Sequence, residues 1–449
     1  MKKWKGMVGV LACAFLYSSM YLLPYIKYIF YDAIVAATGF TNTQIGITLS
    51  VYIVAAIIST VPSGWIADRF PPKKMLVLSG VAHAIFSVMA LLFIRSYTMT
   101  LVCFFLMGLS STLAFWSPVF KAVSMAGSKE DQGKYYGLFE GFNGIGSMLF
   151  NFGALWVFAR VTSGSVDALK AVYIFYIASS VVSTLLVAFL YHAQLDAVDT
   201  ENKEKPEQEK RASTKEIFRV FKMPKVWMFS LMVFGVYGFY CGSSYLTPYF
   251  STVLGVSVAF SGGLATLKNY GTRLVGAPIA GAICDKIGRL KFMVIGFVVA
   301  IVLMIIFMMM PASNSALVPI MILMFALALV DVAMKGVQFS ALDEIGVDQS
   351  VNGMAISIAS LVGFNLPDVA LHPIFGAILD ANEAVVAYKI IFACLPAGYA
   401  RAGLCHEPDP HAHAEEEQEA AGAGQSSRVI PASILSFRSI PVPAGMPRF

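Results

Sequence analysis

GWIADRFPPKK, Gly64 to Lys74, and GAICDKIGRLK, Gly281 to Lys291, are the two stretches that decide how this chain is read. Each closes a long apolar run with a glycine, an acid four residues later, and then a cluster of basic groups. The surrounding composition names the class. The 449 residues are 57% hydrophobic and 13% charged, against about 25% charged in soluble domains. Runs of about 20 apolar residues recur, and in hydrocarbon such runs must be helices, because no water is present to pair their backbone groups. The chain therefore reads as an all-α polytopic membrane protein. Spans are expected near 7–30, 43–67, 75–94, 98–120, 135–159, 170–192, 226–250, 258–284, 292–311, 316–340 and 350–378. A twelfth begins near Val385 and falls short after about a dozen apolar residues, where Lys389, Pro396 and Arg401 interrupt it.

Basic residues orient the spans. With the N-terminus cytoplasmic, the inner loops collect the lysines of MKKWK, the Gly64 motif, Lys121, Lys129 and Lys134, the run between Lys203 and Lys225, and the Gly281 motif. The outer loops between spans one and eleven hold three basic residues, Arg95, Arg160 and Lys170. The positive-inside rule thus puts the N-terminus, both motifs and the central linker in the cytoplasm. It also accounts for the net charge of +5 without a nucleic-acid partner. The N-terminus resembles a signal peptide, but its apolar run continues past Tyr21, so a retained first helix is expected. Six scattered cysteines without a C-x-x-C pair read as small core residues, not as disulfides or metal ligands.

The polar segment 196–225 divides the chain, and across it the sequence repeats in order. SSMYLLPYI at 18–26 answers SSYLTPYF at 243–250, the Gly64 motif answers the Gly281 motif, and DQGKYYG at 131–137 answers DQSVNG at 348–353. Two related halves follow. Residues 1–195 form an N-terminal six-helix bundle, 196–225 a cytoplasmic linker, 226–396 a C-terminal bundle, and 397–449 an atypical polar tail with the composition of a disordered segment. The tail is either a natural extension or the product of a reading-frame change or fusion.

Six plus six spans, a charged linker, and a G-x-x-x-D-R/K motif between the second and third span of each half together resemble the major facilitator superfamily (MFS) over about residues 7–396. The second copy matches closely, with Gly281, Asp285, Lys286, Gly288, Arg289 and Lys291. The first keeps Gly64, Asp68, Arg69, Lys73 and Lys74, but has Pro71 and Pro72 where glycine and a basic residue are usual. The resemblance implies an MFS fold of two pseudo-symmetric six-helix bundles, here with an incomplete or atypical twelfth helix. The halves would rock about a site at the bilayer midplane, carrying a small solute with no catalysed reaction and no cofactor. It further implies that Asp68 caps the start of span eleven near Ser350, where free N–H groups attract a carboxylate. Asp285 would make the matching contact near Tyr135, Gly64 and Gly281 would permit close helix approach, and the basic residues would face lipid headgroups. The alternative is that these residues set topology alone.

Charges inside spans are costly, at least about 2.5 kcal/mol each, so each needs a partner or a wet cavity. They cluster on spans that the resemblance places near the cavity, whereas spans three, six and nine have none in their interiors. Candidate substrate residues are Lys27 with Tyr28 and Tyr31, Lys268, Arg273, Asp331 and Lys335. Lys27 could instead snorkel outward. Asp331 and Lys335, four apart, could instead form a structural pair, and Arg273 could instead hold an interdomain ion pair. Arg273 is the stronger anion ligand because guanidinium offers two-point geometry. Candidate proton-coupling residues are Glu140, expected to be buried where Gly137 and Gly144 bring helices together, and Asp368 with His372, on a polar stripe that starts at Asn365.

Four Lys or Arg against three acids on these spans favour an anionic or sugar-acid-like solute. The expected function is proton-coupled uptake by a monomeric, multi-pass protein of a bacterial-type inner membrane. Alternatives are a non-transporting solute sensor of the same fold, or a drug or solute exporter; span five lacks the glycine-proline signature of drug/proton antiporters. No Ser/His/Asp grouping, H-E-x-x-H or phosphate-cradling loop points to an enzyme, and no metal-ligand spacing is present.

Overall fold

The computed structural model describes residues 2–126, 132–191, 220–342, 344–345 and 352–404, and all regular structure among them is helical. Ten helices among the described residues are long and apolar enough to cross a membrane. Span one is Lys2–Leu22 continued by Lys27–Thr38, span two is Asn42–Arg69, and span three is Pro72–Leu92. Span four is Tyr97–Leu113 with Trp116–Ser124, span five Gln132–Arg160 and span six Ser165–Leu190. In the second half, span seven is Pro224–Ser243 with Leu246–Thr252, span nine Arg289–Met309 and span ten Leu317–Val337. Spans eight and eleven each contain a π-helical turn. Span eight runs Val258–Thr266, Leu267–Gly271 and Thr272–Ile287, and span eleven runs Asn352–Ser360, Leu361–Asn365 and Leu366–Ala381, the middle segment being the π turn in both.

Span twelve is atypical, as expected: its apolar part is only Ala384–Leu395, although the chain stays helical over Ala384–Leu404, past Pro396. Phe392 and Tyr388 set their rings 5.6 Å from Tyr249, and Leu395 fills the space left by Gly242. Most of the linker and the tail beyond Leu404 lie outside the described residues.

The repeated S-S…P-Y motif is a repeated break. A proline cannot donate to the carbonyl four residues back. Ahead of Pro248, span seven passes through a turn at Ser244 and Tyr245, and at Pro24 span one turns between Leu22 and Lys27. Both breaks fall in the outer half of their spans and bring their following segments together. Thr247 Oγ1 donates to the Tyr28 carbonyl at 3.1 Å, and Ser251 Oγ donates to the Asp32 carboxylate, joined by Thr252 at 3.3 Å.

Spans two and eleven close the same end. Pro373 leaves the Val369 carbonyl without its helical donor, and Ser50 Oγ of span two supplies one at 2.7 Å. Gly46 makes the approach possible, since a Cβ there would strike the His372 backbone. At the rim, Asp380 accepts from Asn42 N at 2.9 Å, Asn42 Nδ2 at 2.8 Å, Thr43 N at 2.9 Å and Thr43 Oγ1 at 2.6 Å. These are donors in the first turn of span two, which no intrahelical carbonyl can satisfy.

Among the described residues the two halves meet mainly toward the outer end. Of span eleven, span two packs on Leu366–Ala381, its outer part, whereas Asn352–Ser360 packs on span seven. Span five likewise meets span eight mainly through Val258–Thr266 and the π turn. Among the described residues nothing lies within 4 Å of where a Cβ on Gly64 would be, and Asp68 is exposed. Ser350 lies outside the described residues, as does the side-chain setting of Asp285 and Gly281. Arg69 stacks its guanidinium 4.4 Å from the Trp65 ring. Lys74, Lys286 and Lys291 are exposed and Lys73 half-buried, in the positions expected of headgroup-facing bases. In the second motif, Gly288 takes φ 87°, and Glu344 caps span nine through Arg289 N and Leu290 N, both at 2.9 Å.

Two variants test this asymmetric closure, read as the distance between spin labels at Arg95 and Asn314 on the outer ends of the two halves. Asp380→Asn weakens an ionic helix cap of about 1–2 kcal/mol and is expected to shift the population about tenfold toward an open outer end. Gly46→Val is expected to hold the outer end open and reduce transport at least roughly tenfold, because its side chain meets rigid backbone.

Candidate functional site

Glu140 and Arg273 stand mid-span on opposite halves, yet both are exposed. Each lies within the other's electrostatic reach, with Tyr17, Tyr240 and Tyr270 close by. Exposed groups facing one another across the halves are what an opening to water at this depth would produce. Burial of Glu140 was the expectation and is corrected. Among the described residues nothing lies within 4 Å of where a Cβ on Gly137, Gly141 or Gly144 would be.

Toward the closed end the opening meets a buried polar cluster. Asp368 accepts from Tyr237 OH at 3.0 Å and from Cys241 Sγ at 3.2 Å, and it stands 3.3 Å from His372 Nε2. The same ring nitrogen is 3.3 Å from the Tyr28 hydroxyl. Lys27 is 4% exposed. Its ammonium lies 5.1 Å from the Tyr245 ring centroid and 5.7 Å from that of Tyr28, within electrostatic range of Asp368, and has no hydrogen-bond partner among the described residues. It does not snorkel outward. Tyr31 belongs to the outer closure, donating to Asn42 Oδ1 at 3.0 Å.

The other cations are occupied. Lys268 Nζ donates to Ser243 O at 2.8 Å and to Ser243 Oγ at 3.1 Å, so it satisfies the carbonyl exposed by the break in span seven, as a base at a helix C-terminus does. Lys335 places its ammonium 3.5 Å from the centroid of Tyr240 and 4.7 Å from that of Tyr237, a cation–π seat. Asp331, buried, lies in electrostatic contact with both lysines. The π turns at Leu267–Gly271 and Leu361–Asn365 stand at this depth. One carries Lys268 and the other ends just before Pro367 and Asp368, as such turns often do at functional positions.

Cys241, Asp368 and His372 bring three possible metal-ligand atoms within 4.8 Å of one another. The uncompensated Lys27 ammonium beside them opposes a further cation, so the cluster suits protons and anions better than a metal ion. Sequence reading missed Tyr237, Tyr240, Cys241 and Tyr245 as site residues, and Ser50, Asp32 and Asp380 as closing residues. Spacing offered one signal: Tyr237, Cys241 and Tyr245 follow one another by four along span seven.

A family model described as Major Facilitator Superfamily matches residues 7–364. Inner membrane protein YihN of Escherichia coli (strain K12) is 26% identical over 396 residues, covering 88% of this chain and 92% of that protein. Inner membrane protein YqcE of the same organism is 28% identical over 370 residues, covering 82% and 86%. Among solved structures, nucleoside transporter NupG superposes with a TM-score of 0.69 at 13% identity, covering 90% of this chain and 97% of that one. That likeness concerns the fold alone.

Lys268→Met tests the division between occupied and free cations. Leaving the Ser243 carbonyl without a donor is expected to cost about 1–3 kcal/mol, seen as a lower melting temperature in detergent. Solute affinity is expected to change less than about twofold, well below the effect of a lost charge contact to a ligand.

Proposed function

Because this chain belongs to the major facilitator superfamily and is a secondary transporter, not an enzyme, we propose that it brings a small organic anion across the inner membrane together with a proton. Lys27 carries the reading. A buried ammonium with no acceptor is costly, and an anion arriving from the opening supplies the missing partner. The tyrosines around it offer hydroxyl donors and ring faces suited to a hydroxylated carbon skeleton. Arg273 and Glu140 line the wider cytoplasmic part of the path, where Arg273 engages the departing anion and Glu140 limits how tightly it is held. Lys335 and Asp331 balance charge behind the tyrosine shelf. Asp368 and His372 hold the coupled proton beside Lys27, so that proton and anion offset each other's charge in the low-dielectric centre.

In this reading the conformation with the outer end shut is the one that releases solute inward, and alternation with the opposite state completes transport.

Uptake of a panel of labelled organic anions and neutral sugars into proteoliposomes, with and without an inward proton gradient, tests the proposal. Saturable anion uptake that the gradient drives uphill is expected. Lys27→Gln is expected to lower anion affinity by on the order of a hundredfold, the cost of removing one partner of a desolvated charge pair. Uptake of neutral sugars unaffected by Lys27→Gln would sink the anion assignment, and binding without flux would favour a sensor.

A further inference from the structure

Spans three and six leave a groove between them on an exposed side of the first half. Gly80, Ala84 and Val88 of span three face Ile177, Val181 and Thr184 of span six across it, and it holds about 380 Å³. The spans touch where Gly80 meets Thr184, since a Cβ on Gly80 would overlap the threonine side chain. Thr184 makes no polar demand on the groove, because its hydroxyl already donates to the Ser180 carbonyl at 2.7 Å. On the flanks Val81, Ile85 and Leu185 are exposed, as residues that meet lipid are. The groove reaches Met89 of span three. One turn further out a cleft of about 680 Å³ begins at Leu92, with Arg95, Asp167 and Lys170 in its walls.

Bases are scarce on this face of the protein. Of the three in the outer loops, Arg160 rests its guanidinium 5.1 Å from the Trp156 ring. The other two, Arg95 and Lys170, are exposed and line the same cleft. Among the described residues neither of them forms an ion pair. The matching outer connection of the second half, residues 310–316, carries no charge at all. We propose that the cleft and the groove together hold one anionic phospholipid of the outer leaflet, its phosphate at Arg95 and Lys170 and an acyl chain along Ala84, Val88 and Val181.

Length, charge and position agree on this occupant. From Leu92 back to Gly80 the helix covers about 18 Å, against about 15 Å for the hydrocarbon of one leaflet. An acyl chain anchored at headgroup level therefore runs the groove without passing far beyond the midplane. A free anion would use the cleft and leave the apolar groove empty. Two bases and one acid leave the cleft with one positive charge in excess, which the phosphate of a phosphatidylglycerol-type headgroup balances while its hydroxyls donate to Asp167. A zwitterionic headgroup brings no net charge and leaves that excess unanswered. Spans four and six also begin at the cleft, at Tyr97 and Ser165, without side-chain caps, and their first-turn N–H groups add to the pull on phosphate. Every lining element belongs to the first half, so the site persists whichever end of the carrier is open and whatever solute it moves.

The experiment places the full chain in phosphatidylcholine nanodiscs with a trace of phosphatidylglycerol that carries a diazirine in one acyl chain. After illumination, labelled peptides are quantified by mass spectrometry. Residues 300–309, the outer half of span nine, serve as the reference, since no base stands at their outer end. Label on residues 80–89 and 177–185 is expected to exceed the reference at least roughly fivefold, the worth of one base at a membrane surface. A ratio near one in the unaltered protein overturns the proposal. Arg95→Gln combined with Lys170→Gln changes two exposed side chains and is expected to bring the ratio within about twofold of the reference; an undiminished ratio overturns the part given to these bases. Competition identifies the occupant. Unlabelled phosphatidylglycerol is expected to displace the label at about a fifth of the mole fraction that phosphatidylethanolamine requires. Stronger displacement by phosphatidylethanolamine, lost in Asp167→Asn, overturns the anionic headgroup in favour of a zwitterion. Displacement by millimolar glycerol phosphate in solution overturns the lipid in favour of a free anion.

Discussion

A carbonyl deprived of its helical donor cannot stay unpaired in hydrocarbon, and the outer closure of this protein is built on that constraint. Pro373 frees the carbonyl of Val369, and the donor that replaces the missing N–H is Ser50 of the other half. The break before Pro248 presents Thr247, which reaches the Tyr28 carbonyl, and it exposes Ser243, which Lys268 satisfies from within the same half. Prolines thus do more than bend spans one, seven and eleven. At Pro373 the freed carbonyl finds its partner across the boundary between the halves, so that closing the outer end completes its hydrogen bonding.

The same economy governs charge. Each cation near the midplane has been given a different solution to desolvation: Lys268 a backbone carbonyl, Lys335 two aromatic faces, and Arg273 water and the opposing Glu140. Lys27 has rings and a nearby carboxylate but no acceptor. That difference, invisible to a count of bases and acids, is what separates a cation available to a ligand from one committed to the fold. On the proposed function it sets the proton next to the anion, since Asp368 and His372 adjoin Lys27.

Much of the architecture was legible because it follows from hydropathy and repetition. The span boundaries, the orientation and the repeated S-S…P-Y break are all local properties of the chain. The resemblance rested on the Gly64 and Gly281 motifs, and it led to the right fold. What escaped reading depends on contacts between distant residues. Glycines at 137 and 144 suggest close packing whether they meet a helix or an opening, so Glu140 was placed in the wrong environment. Asp380 and Asp32 lie near span ends, where an acid ordinarily means only solvent. Cys241 looks like any small core residue until Asp368 is set beside it. Pro396 reads as a stop, yet the last helix runs on past it.

The two faces of the molecule also share one chemical device. Asp380 ends span eleven and caps the start of span two; Asp68 ends span two, and the family pattern assigns it the start of span eleven on the other face. Under the resemblance, each carboxylate would answer the free N–H groups of the other's helix. The two spans meet closely around Gly46 and His372, and in the conformation described here Asp380 is engaged and Asp68 is exposed. A carrier needs its two gates to exclude one another, and reciprocal helix caps on the same two spans would supply that exclusion through geometry.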